Sequence, residues 1–119
     1  MASSDSLNTF GAVFTFAIEL EAQLSAYYRD IGDAAMASAA DKRRVKLERV
    51  RRENVVEITL EPIRGLDADD YALDLSDGSE NGQASAARIA SQFYRDAAPK
   101  INVRAAQRAL ERCGKEHGG

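Results

Sequence analysis

A single cysteine, Cys113, and a single histidine, His117, leave this 119-residue chain little of the material from which zinc sites and thiol chemistry are built. One thiol forms no intramolecular disulfide, so nothing in the sequence calls for an oxidising compartment and a cytoplasmic setting is expected. No zinc-spaced cysteine set, phosphate-cradling glycine loop or nucleophile beside a base is present, and the chain reads as a non-enzyme. Long apolar runs are missing as well. The stretch from Phe10 to Ile18 is about half of the ~20 residues a spanning helix needs. Glu19 and Glu21 follow it directly and the first basic residue is Arg29, so neither a membrane span nor a signal peptide is expected. A net charge of -3 is too small to name a partner by its sign.

What is there suits one globular domain over residues 1–119. Hydrophobic residues make up 45% and charged residues 29%, enough apolar material in one domain's length to bury a core without disulfides. Between Phe10 and Ile31 apolar residues recur at three- and four-residue spacing, which predicts a first helix over about 9–31, broken at Gly32 and Asp33. A second helix is expected over about 36–61, stopped by Pro62, with Leu47, Val50, Asn54 and Ile58 facing inward. The stretch 64–83 loses periodicity and turns acidic, as a long crossover loop would. Helices over about 84–98, ending before Pro99, and about 102–116, capped by Asn102, complete the set. In the last, Val103, Ala106, Leu110, Cys113 and His117 form one stripe, which makes Cys113 a small buried hydrophobe. The expected fold is all-α: an antiparallel four-helix bundle of two helix hairpins joined by a long crossover.

The hairpins share short sequences. Tyr27-Tyr28-Arg29-Asp30 returns as Phe93-Tyr94-Arg95-Asp96, sixty-six residues on, and Leu47-Glu48-Arg49 as Leu110-Glu111-Arg112, sixty-three on. Read as an internal repeat, these offsets make Glu21 equivalent to Ala87, Arg51 to Gly114 and Asn54 to His117.

The segment Ala17-Ile18-Glu19-Leu20-Glu21 with Tyr27-Tyr28-Arg29-Asp30 resembles the first helix of the rubrerythrin branch of ferritin-like proteins, where an inward glutamate precedes an aromatic by seven residues, as Glu21 precedes Tyr28. In that family the second helix carries Glu-x-x-His and the second hairpin repeats the pattern, so that two metals sit between facing helices. Carried over position by position, Glu21 keeps the first ligand place and His117 the last histidine. Arg51 and Asn54 stand where Glu and His would, and Ala87 and Gly114 replace the remaining glutamates. One carboxylate and one histidine remain of a set of about four and two, and a cation at Arg51 repels a divalent ion. The resemblance therefore implies a metal-free bundle with no cofactor. Its central polar cluster would be Glu21, Tyr28, Arg51, Asn54 and His117, in which a buried Glu21 to Arg51 ion pair fills the place of the metals.

The function so implied is structural, protein-interacting or that of an accessory subunit, in a homo-oligomer or larger assembly. Phe16, off the inward stripe, is expected to meet a partner. The alternative is an iron- or manganese-binding oxidase whose site is completed between copies by Glu21, Glu53, Glu57 and Glu61 with His117, the three glutamates of the second helix lying in one row. Alone, His117 reads as a frayed and exposed side chain. The basic run Lys42, Arg43, Arg44, Lys46, Arg49, Arg51 and Arg52 reads as a solvated face. An anion- or nucleic-acid-binding module is the second alternative, although with a pI of 5.2 and no known motif nucleic acid is not expected. Asp74 to Glu80 contains Asp-x-x-Asp-Gly but lacks calcium-loop spacing, and is expected to be a mobile polar loop.

Overall fold

The computed structural model describes residues 7, 9–54, 63 and 65–117, Asn54 through its backbone alone. The described residues are all-α, with four helices among them: α1 (Phe10–Asp30), α2 (Ala34–Asn54), α3 (Glu80–Ala97) and α4 (Arg104–Glu116). None of the described helices is long and apolar enough to cross a membrane.

The first two helices are joined by a turn of three residues whose chemistry is local. Gly32 sits at φ 83, the left-handed region open to glycine. Its N–H bonds the carbonyl of Arg29, and that of Asp33 bonds the carbonyl of Tyr28, the paired closure of a Schellman motif. The Asp33 carboxylate then accepts from the N–H of Met36 and starts α2. At the far end Thr9 caps α1 through the N–H of Ala12. The reversal lays α2 back along α1.

Alanine dominates the facing sides of α2, α3 and α4, with Ala37, Ala40, Ala86, Ala90 and Ala106 nearly or wholly buried, so the helices approach closely around larger side chains. Phe93 is fully buried, with its ring centroid 4.9 Å from Phe16, 5.3 Å from Tyr71 and 5.1 Å from Tyr94. Phe16, just off the main stripe of α1, is half-buried, with its ring against Phe93 of α3 and Tyr71 of the crossover.

The crossover departs from expectation. Leu66 and Tyr71 are buried, a 3-10 turn forms over Ala68–Tyr71, and the Tyr71 hydroxyl donates to Asp96 at 2.7 Å. Acidic composition concealed anchoring residues spaced too widely to look periodic. The supposed calcium-like fragment is spent on local turns: Asp74 accepts from Ser76, and Asp77 accepts from the N–H of Ser79, which caps α3. That cap starts α3 at Glu80, four residues before its expected start. In α4 the cap position belongs to Val103 rather than Asn102, and no side chain closes it.

Candidate functional site

Glu21 lies on the inward stripe of α1 and is wholly buried. A bare carboxylate there would be costly, and each of its oxygens is met. Oε1 accepts from Arg43 Nε of α2 at 2.9 Å. Oε2 accepts from the Tyr94 hydroxyl of α3 at 2.6 Å and from His117 Nε2, just past α4, at 2.9 Å. An ionised carboxylate only accepts, so Nε2 carries the ring proton. Arg43 also donates from Nη1 to Glu116 at 3.0 Å. One carboxylate therefore ties together all four helical segments.

The closure depends on small residues and stacked rings. Tyr94 and His117 lie nearly parallel, 9° apart, with centroids separated by 5.8 Å. Gly114, one turn before His117, backs onto Tyr94, and a Cβ there would come within 3.0 Å of the tyrosine Cβ. The backbone N–H of His117 bonds the carbonyls of Cys113 and Gly114. His117 is thus a buried terminus of α4, contrary to the frayed side chain expected from its place near the chain's end.

The electrostatics follow from this packing. Burial, the strongest influence on the Glu21 carboxyl, pushes its pKa up. The His117 hydrogen bond, the charges of His117 and Arg43 and the Tyr94 hydroxyl outweigh it, leaving the pKa below its ordinary value of 4.5. Tyr94 is driven well upward by burial and by the Glu21 charge, so it stays a phenol and a donor. Burial, aided by Glu21, raises the Cys113 thiol to about 12, which keeps it protonated and unreactive.

A group with a depressed folded pKa stabilises above its unfolded pKa and loses that contribution as pH falls through the folded value. Urea unfolding between pH 7 and pH 3 should therefore show wild type losing stability below 4.5, and its advantage over Glu21→Gln narrowing there. A constant gap across the range would mean that the carboxylate charge does not stabilise the fold.

The sequence-derived cluster is only partly assembled. Glu21 and His117 are in contact. Tyr28 is buried, and its pKa is raised first by burial and then by neighbouring Tyr27, against the charge of Arg43. Arg51 is exposed on α2 and does not pair with Glu21, a correction with a plain cause. The chain reverses at Gly32, so partners across α1 and α2 lie equally far from it. Glu21 is eleven residues before the turn and Arg43 eleven after, whereas Arg51 is eight further on, about 12 Å along the helix. The side chain of Asn54, and Glu57, Ile58 and Glu61, lie outside the described residues. Glu53 is exposed. The sequence reading placed Arg43 on a solvated face, whereas it is buried against Glu21, and it missed Tyr94 and Glu116. Tyr94 was visible as the repeat counterpart of Tyr28, while nothing marked Glu116.

Among the described residues no group of three or more histidine, cysteine or acidic side chains is placed to share an ion. The nearest approach to one, Glu21 with His117 and Glu116, has the Arg43 guanidinium inserted between its carboxylates. No protein-family model matches the chain, and neither a curated protein nor a solved structure matches it significantly.

Proposed function

We propose that this chain is a metal-free helical bundle of the ferritin-like kind, two antiparallel hairpins in a cytoplasmic protein that serves as a structural or accessory subunit of an assembly. The observation that carries the reading is the full engagement of Glu21, whose two oxygens are taken by Arg43, Tyr94 and His117. A carboxylate that accepts three hydrogen bonds inside the bundle, one of them from a cation, is spent on holding helices together rather than on a substrate or metal. The repeat gains support from a matched pair of rungs: Arg29 donates to Ser25 and Arg95 to Ser91, each at 3.2 Å and sixty-six residues apart. The second helices of the two hairpins offer no such match, since Gly114 is buried while its sequence counterpart Arg51 is exposed.

Anaerobic loading with ferrous iron, desalting and elemental mass spectrometry tests the proposal. Wild type and Glu21→Ala should both retain far less than one iron per chain. Stoichiometric iron in wild type that is lost in Glu21→Ala would overturn the reading in favour of the dimetal alternative completed between copies.

A further inference from the structure

The outer face of α2 is a cationic stripe with an apolar centre. Lys42, Val45, Arg49 and Arg52 follow one another at three- and four-residue steps, which stacks them on one side of the helix, and all four are exposed. Val45 is 52% exposed between Lys42 and Arg49. Among the described residues none of the three cations is held in an ion pair.

The crossover carries the opposite charge. Residues 65–87 include six acids and no base, whereas Lys42 to Arg52 includes seven bases and one acid. Asp69, Asp70, Asp74 and Asp77 are exposed, with the half-buried Leu73 and Leu75 among them, so that apolar side chains lie between like charges as Val45 does on α2. The crossover is fastened to α1 through the Tyr27 hydroxyl and to α3 through Asp96. Among the described residues no ion pair joins it to α2. A net charge of only -3 thus conceals two separated surfaces of opposite sign.

We infer that the outer stripe of α2 docks on the acidic crossover of a second copy of this chain, with Lys42, Arg49 and Arg52 against the carboxylates and Val45 against Leu73 and Leu75. The inference rests on the assembly reading above and names the partner as the chain itself. An anionic macromolecule would satisfy the stripe alone, whereas a second copy satisfies both stripe and crossover. One exposed ion pair contributes little, but complementary charged surfaces steer two proteins together, fix their register and exclude wrong partners.

Sedimentation equilibrium of the full chain tests the contact. At about 50 mM salt and about 0.2 mM protein, wild type should exceed the 13.0 kDa of one chain, and its association should weaken about tenfold at about 500 mM salt, where exposed charges are screened. Arg49→Glu with Arg52→Glu, and separately Asp69→Lys with Asp70→Lys, should each give a monomer. Mixed in equal amounts, the two variants should form a one-to-one dimer, because one intact stripe and one intact crossover remain between them. That restoration would also show both variants to be folded. Arg108→Glu, exposed on α4, should associate as wild type does. A monomeric wild type would overturn the inference, and binding of a mixed-sequence oligonucleotide by that monomer would give the stripe to an anionic partner instead. A mixture that forms no dimer would overturn it as well. Iron retention is read separately, so a monomer that holds no iron defeats this inference and leaves the metal-free reading standing.

Discussion

Replacing Glu21 by alanine should lower the unfolding free energy by about 3–5 kcal/mol, the usual cost of removing one partner from a buried ion pair. The loss is large because the deletion strands more than one group. Arg43 keeps Glu116, which is half exposed, while Nε faces a cavity, and the Tyr94 hydroxyl and the His117 ring lose their common acceptor. Out of a typical total of about 5–15 kcal/mol, such a loss brings a domain of this size close to its threshold. In a thermal melt it corresponds to a fall of roughly 10–20 °C. Chemical denaturation of wild type, Glu21→Ala and Glu21→Gln would measure it, with the glutamine variant intermediate because it keeps the shape and some hydrogen bonds. A loss under 1 kcal/mol in the alanine variant would mean that water or rearranged side chains replace the carboxylate, and the proposed role of the centre as a structural fastener would fail.

Gly82→Ala is expected to destabilise by about 2–3 kcal/mol, as overpacking against rigid neighbours does. Helix propensity alone predicts the opposite sign, because alanine is better than glycine inside a helix by about 1 kcal/mol. Gly82 is in the first turn of α3, and a Cβ there would overlap the carbonyl oxygen of Asp77, with the Asp77 carbonyl carbon and Cβ also within 2.9 Å. The obstacle is mainly backbone, which does not rotate away as the end of a side chain does. Relief requires Asp77 to move, yet its carbonyl accepts the Tyr27 hydroxyl at 2.7 Å and its carboxylate fixes the cap residue Ser79. Equilibrium denaturation decides the sign, and a stabilised Gly82→Ala would show that the turn before α3 yields freely.

These sites show which parts of the architecture were legible in the sequence. The stripe from Phe10 to Ile31, the break at Gly32 and the stops before Pro99 and around Asn102 are local signals, and the all-α reading with four helices follows from them. Glu21 was conspicuous as a carboxylate on an apolar stripe. Its partner was harder to find, because the repeat offsets favoured Arg51 whereas reflection of the chain through a three-residue turn selects Arg43. The turn was the better guide, since it fixes distance in space while a sequence match fixes only equivalence. Tyr94 was hidden by its chemistry: a tyrosine on a core stripe looks the same whether its hydroxyl is used or not. Leu66 and Tyr71 were hidden by their surroundings, two anchors in an acidic segment with no period to betray them.

The contact between Glu21 and His117 spans ninety-six positions of sequence. During synthesis the first helix emerges early, carrying a carboxylate that its own hairpin can satisfy only through Arg43. Both donors to Oε2, Tyr94 and His117, are made much later. An N-terminal hairpin released from the ribosome would therefore hold a half-met charge in its apolar face and remain open to water there until α4 arrives. Closure of the Glu21 network thus waits on α3 and α4, so the pair α1 and α2 is synthesised well before the contacts that complete it.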